Sequence, residues 1–172
     1  MLAGDETVKA SEIVVGCWYS NGKDGVREVI SISSESAPRV KYAIQAARHE
    51  HDYCNETKGM VSVLGNTSTC DLTSFSRWAK ERMTMEDGLG KVQELRAWKL
   101  RLTASERAFL DEAFFEAGGD ISAGTLVQFD PSEARAVKGL ERKSIVVKLN
   151  GEVEITPTGA AWFRAKARMN AS

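Results

Sequence analysis

The sequence predicts an α+β protein in two parts. A strand-rich first half forms a small barrel or curled sheet, and a helix-rich second half ends in a hairpin and a last helix. Three observations carry this. Short β-branched and aromatic runs with Gly and Asn turns fill the chain up to Leu72. Capped amphipathic helices follow Leu102. Asn150-Gly151 separates two further apolar runs. The expected bounds are 1–83 for the first domain, 84–101 for a linker and connecting helix, and 102–172 for the second domain.

The 172 residues suit one large domain or two small ones, with 42% apolar and 27% charged residues, as in ordinary soluble domains. With 23 basic and 24 acidic residues the net charge is -1, which argues against a general nucleic-acid coat. Cys17, Cys54 and Cys70 are odd in number and widely spaced, so they do not form a disulfide framework. No signal segment or membrane span stands out, and a reducing, cytoplasmic setting is expected.

In the first half, "IVVGCWY" (13–19) is β-rich and "NGKDG" (21–25) supplies turn glycines. In "VREVISIS", Val26, Ile30 and Ile32 share a parity that Val29 breaks. In "RVKYAIQA", Val40, Tyr42 and Ile44 alternate with Arg39, Lys41 and Ala43. "MVSVLG" and "STCDL" are further short strands. "TSFSRWAKERM" is expected as a closing helix, capped by Thr73 or Ser74, with Phe75, Trp78, Ala79 and Arg82 on one side.

"TMEDGLGK" (84–91) holds two glycines and reads as the boundary, with "KVQELRAWKLRL" a helix after it. Thr103 and Glu106 then make a capping box. Phe109, Leu110, Ala113, Phe114 and Ala117 form the stripe of that helix, and Gly118-Gly119 stop it. "ISAGTLVQF" (121–129) reads as a short helix. The next helix has Asp130 as N-cap, Pro131 at its first position and Glu133 at its third. "SIVVKL", "NG" and "EVEIT" make a hairpin with a type I′ turn signal, and Thr156-Pro157 opens the last helix.

At about 100° per residue, Ala136, Val137 and Leu140 fall on one side of 132–142, and Arg135, Lys138 and Arg142 on the other. An apolar back with a cationic front is what a helix in a major groove requires. The charge map has the same asymmetry. From Leu102 to Asp130 one basic residue, Arg107, stands against six acidic ones; from Pro131 to Arg168 eight basic residues stand against four. A solvated surface helix is the competing reading of such a face.

The element order from Thr103 to Arg168 and the stretch "LERKSIVVKLNGEVEITPTGAAW" resemble the winged helix-turn-helix domains of bacterial MarR-type regulators. In that family a recognition helix ends at L-x-R-x-G-L-[VI], and a wing and an L-T-P-x-G helix start follow. Here Leu140 to Val146 and Ile155 to Gly159 fill those places, with Ser144 where the motif has glycine. The resemblance implies a recognition helix at Pro131–Arg142, with Ser132, Arg135, Lys138 and Arg142 facing double-stranded DNA and Lys143 and Lys148 near its backbone. It also implies a homodimer, for which 92–100 and the last helix are the available segments. The glutamates of the hairpin, Glu152 and Glu154, are poor neighbours for phosphate.

"KASEIVVGCWYSNGKDGVREVISI" and "SFSRWA" resemble a small SH3-like barrel, a fold that binds peptides, nucleic acids or other domains. Trp18, Tyr19 and Tyr42 are the candidates for an exposed aromatic platform that grips a partner. The competing reading, favoured by packing, is that they fill the interior. "ARHEHDYC" holds His49, His51, Asp52 and Cys54, to which Cys70 would add a fifth metal ligand type of residue. No C-x-x-C pair or finger spacing supports that, so no metal is expected. Phosphate-loop, dinucleotide and nucleophile-elbow motifs are absent, and neither a cofactor nor catalysis is expected.

These readings converge on a non-enzymatic DNA-binding regulator of bacterial or mobile-element type, with the barrel as a partner-binding or accessory module. The alternative is a protein-interaction module, for instance a phage-type inhibitor of a host complex, which the near-neutral total charge and the acidic stretch 106–130 favour.

Overall fold

The parity break at Val29 has a direct structural cause. In the computed structural model, which describes residues 7–170, strands β2 (Val26–Ile32) and β3 (Arg39–Ala46) pair antiparallel with register shifts between Val26 and Arg27 and between Val29 and Ser31. A bulge adds a residue to one strand and turns the side chains beyond it to the other face. Val26 and Val29, three apart, are therefore both buried, while Ile30 is exposed.

The chain divides into two compact units, Met1–Val92 and Gln93–Ser172. The first adds β1 (Trp18–Ser20), β4 (His51–Cys54), β5 (Gly59–Ser62), β6 (Thr67–Asp71), helix α1 (Leu72–Trp78) and β7 (Glu81–Met83). Five strands form one sheet in the order β6-β3-β2-β1-β7, and β4 and β5 pair only with each other. Closure of a barrel requires the end strands to pair. Here β6 and β7 are the two edges of an open sheet, so the expected barrel is not closed among the described residues.

Helix α1 is shorter than expected. Asp71, rather than Thr73 or Ser74, caps it, accepting from the Ser74 backbone N–H at 2.7 Å. Ala79 is already extended, and residues 81–83 join the sheet beside β1. Of the expected side Phe75, Trp78, Ala79 and Arg82, Phe75 and Ala79 are buried with Tyr19, Val29, Val40 and Tyr42, and Trp78 packs against them. Arg82 instead lies exposed in β7, because the helix has already ended.

The expected boundary 84–91 lies inside helix α2 (Met85–Trp98), which continues through both of its glycines. Gly88 costs helix propensity, but a Cβ there would stand 2.4 Å from the Trp18 ring. The glycine admits the indole against the helix backbone.

The second unit contains α3 (Ala104–Glu116), β8 (Leu126–Gln128), a 3₁₀ turn (Pro131–Glu133), α4 (Ala134–Arg142), β9 (Val146–Lys148), β10 (Glu152–Ile155) and α5 (Pro157–Asn170). Its sheet runs β8-β10-β9, antiparallel throughout. Phe109, Leu110, Val137, Leu140, Ile145, Val153, Ile155, Trp162 and Phe163 form the core between sheet and helices.

The short helix expected over 121–129 is β8 instead. Gly124 takes a left-handed φ of 86° and its N–H donates to Ile155 O, and the Ile155 N–H returns to Thr125 O. That pairing starts a strand and stops a helix. A strand, not a helix, thus precedes the 131–142 segment. The hairpin also departs from a type I′ turn, which requires φ > 0 at both central residues. Only Gly151 has it.

Candidate functional site

Helix α4 is positioned by its back and its two ends. Ala136, Val137 and Leu140 are 5%, 0% and 0% exposed, so one face is committed to the core. At its start Pro131 fixes the first turn, and the Asp130 N–H donates to the Glu133 carboxylate at 2.8 Å. At its end the Ile145 N–H returns to Leu140 O and the Ser144 N–H to Glu141 O, the bond pattern of a Schellman cap. The cap needs a left-handed residue, and Ser144 adopts φ 58° there. Thr156 fastens this corner to α5: its hydroxyl donates to Ile145 O and accepts from the Gly159 N–H.

The front of α4 carries the expected residues. Arg135, Lys138 and Arg142 are exposed and have no hydrogen-bond or ion-pair partner among the described residues. Ser132 is exposed in the 3₁₀ turn ahead of them. A groove of about 920 Å³ between α3 and α4 is lined by Ser105, Glu112, Ser132, Arg135, Lys138 and Arg142. Next to it, a second groove of about 420 Å³ is lined by Phe109, Glu112, Glu116, Phe129, Asp130 and Glu133. The surface is therefore two-signed, cationic toward the C-terminal end of α4 and acidic toward its start.

Lys143 does not belong to this front. Its amine donates to both carboxylate oxygens of Glu106 at 2.6 Å, so it is paired within the protein. Lys148 is exposed on β9, with its amine 5.6 Å from the Phe129 ring centroid.

Glu106 has, besides its cap, a role hidden in the sequence: its contact with Lys143. It completes the α3 capping box, accepting from the Thr103 N–H at 2.7 Å, and it is 3% exposed. Burial alone would raise its pKa; hydrogen bonds from Lys143 and the Thr103 backbone outweigh burial and hold it below the ordinary carboxylate value. A Cβ on Gly139 would lie 2.0 Å from its Oε1. Gly139 is what lets α4 pass this close to the α3 N-terminus.

The aromatic candidates in the first unit are not a display surface. Trp18, Tyr19 and Tyr42 are 4%, 0% and 7% exposed. Tyr19 stacks edge-on to Phe75, and its hydroxyl accepts from the Val14 N–H and donates to Glu12 O. Tyr19 and Tyr42 pack with Phe75 of α1, and Trp18 lies against Gly88 of α2.

His51 and Cys54 lie at the two ends of β4, His49 precedes that strand, and Cys70 lies in β6. A thiol–hydroxyl hydrogen bond to Thr57, helped by backbone N–H groups of Thr57 and Glu56, holds the Cys54 thiol below its usual pKa. Among the described residues no group of three or more His, Cys, Asp or Glu side chains is placed to hold a metal ion, and no helix is long and apolar enough to cross a membrane. Comparison with protein-family models, with curated proteins and with solved structures gives no match to this chain.

Proposed function

We propose that Gln93–Ser172 is a winged-helix module of the MarR type that binds double-stranded DNA through the front of α4. The protein is then a non-enzymatic regulator. The observation that carries the reading is the α4 front itself: three unpartnered exposed cations opposite a fully buried back. The β8-β10-β9 sheet and the left-handed Ser144, at the position where the family motif has glycine, support the module. The strand β8 in place of a preceding helix departs from a complete helix-turn-helix, so orientation on DNA falls to α4 and its flanking grooves. In this proposal the SH3-like unit Met1–Val92 supplies an accessory or partner contact.

Phosphate contacts release counterions, so each lost contact flattens the salt dependence of binding by about 1 in log–log slope. Arg135, Lys138 and Arg142 changed together to Ala are expected to weaken duplex binding in fluorescence anisotropy and to reduce the slope by about 3. Unchanged affinity in the triple variant, or no duplex binding by the native protein at low salt, refutes the reading.

A second reading, a protein-interaction module, is favoured by one observation: the acidic groove of Glu112, Glu116, Asp130 and Glu133 beside the cations. It requires a partner captured in fixed stoichiometry after nuclease treatment and lost on changing Glu112 and Glu116 to Lys.

A further inference from the structure

We propose that Arg27, held between two aromatic rings in the first unit, is a receptor for a carboxylate group. Its Cζ lies 4.3 Å from the Tyr42 ring centroid and 4.0 Å from that of Trp78. Both distances are within cation–π range, an arrangement that favours rings over the faces of the guanidinium. They leave the in-plane edge, where the N–H donors point. Arg27 is partly buried, and none of its donors has a hydrogen-bond or ion-pair partner among the described residues.

Such an arrangement is costly without an acceptor. Burial lowers the Arg27 pKa, opposed only by Tyr42 and Cys70. Cys70 is not the missing counter-ion, because burial pushes its thiol upward and keeps it protonated. The half-desolvated cation thus has rings to hold it and no anion to neutralise it among the described residues.

The surroundings are built for the sandwich. A Cβ on Gly25 would stand 2.9 Å from Trp78 Cζ2, so only glycine lets the indole reach this position. The turn carrying Gly25 is tied by Asn21, whose side-chain oxygen accepts from the Lys23 and Gly25 N–H groups. Phe75 supports both rings from beneath, 5.5 Å from Tyr42 and 5.5 Å from Trp78.

One planar fork matches one planar carboxylate in a bidentate pair. A phosphate would require further cations for its remaining charge, whereas a single carboxylate is matched by the one fork. The carboxylate comes either from an acidic side chain of a partner protein or from a free small acid. This site lies within Met1–Val92 and is independent of any DNA contact by α4.

The test uses the full chain and follows the Trp78 indole and Arg27 Nε–Hε signals by NMR. The probes are sodium acetate, a short glutamate-containing peptide, inorganic phosphate, and sodium chloride at matched ionic strength. Saturable shifts with acetate and none with chloride are expected. A tighter response to the peptide assigns the carboxylate to a protein partner, and an equal one to a free acid. Arg27→Lys keeps the charge and loses the fork; its Trp78 response is expected to need about tenfold more acetate. Gly25→Ala, which displaces Trp78 while leaving Arg27 in place, is expected to weaken binding too. A chloride response equal to acetate, tighter binding of phosphate, or unchanged binding in both variants overturns the proposal.

Discussion

The two units hold their helices in opposite ways. In the first, α1 is seated by rings: Phe75 meets Tyr19 at 5.6 Å, Tyr42 at 5.5 Å and Trp78 at 5.5 Å. In the second, a polar contact joins the start of α3 to the end of α4, with buried Glu106 accepting from the Thr103 N–H and the Lys143 amine beside Gly139. The apolar seat tolerates small shifts, because dispersion is non-directional. The polar one does not, because a buried carboxylate is tolerable only while its partners stay in place. A helix that presents unpartnered cations on its front is thus held by an apolar back and, at its C-terminal end, by the less forgiving polar contact.

The sharpest way to break this contrast is to remove the ring at the centre of the first. Phe75→Ala leaves a cavity under Tyr19, Tyr42 and Trp78, and a loss of about 3–5 kcal/mol is expected. Hydrogen exchange resolved by residue checks it. The loss of protection is expected in β1, β2, β3 and α1. A loss of less than about 1 kcal/mol would show that the rings are peripheral to that unit's stability.

Gly139→Ala probes the second arrangement. The added methyl meets Glu106 Oε1 at 2.0 Å, and overpacking of this kind costs about 1–3 kcal/mol. Chemical denaturation measures it. The cost is expected to shrink when Glu106 is also changed to Ala, since the clash goes with the carboxylate. Strict additivity in that double-mutant cycle would place the strain elsewhere.

What could be read beforehand follows the same division. The stripe Phe109, Leu110, Ala113 and the back of α4, Ala136, Val137 and Leu140, are periodic, and their burial follows from the period. The T-x-x-E signature marked Glu106 as a cap. Nothing local marked it as the contact for Lys143, because that bond spans 37 residues. Gly88 looked like a breaker for a similar reason: its fitness depends on Trp18, far along the chain. Strand β8 was mistaken for a helix because three strand residues are too few to show alternation. Strand β4 offers no buried face to read, because His51, Asp52 and Tyr53 are all exposed. On α4 the free cations were legible from the wheel, whereas Lys143, one residue beyond, turns to Glu106.

The smallest expected effect tests whether that turn is electrostatic. Glu106→Gln keeps the shape and an acceptor for the Thr103 N–H but removes the charge facing Lys143, at a cost of about 1 kcal/mol at neutral pH. The pH dependence gives the sign. The Glu106 pKa is lower in the folded protein than its ordinary value. Its contribution is therefore fully present above the unfolded carboxylate pKa and is lost as pH falls through the folded one. Native stability is expected to fall more steeply than that of the Gln variant as the solution is acidified from about pH 5, so the two curves approach each other. Parallel curves over that range would mean that Glu106 acts on α4 only as a hydrogen-bonding shape. The alignment of the cationic front would then rest on Gly139 and the buried Ala136, Val137 and Leu140 alone.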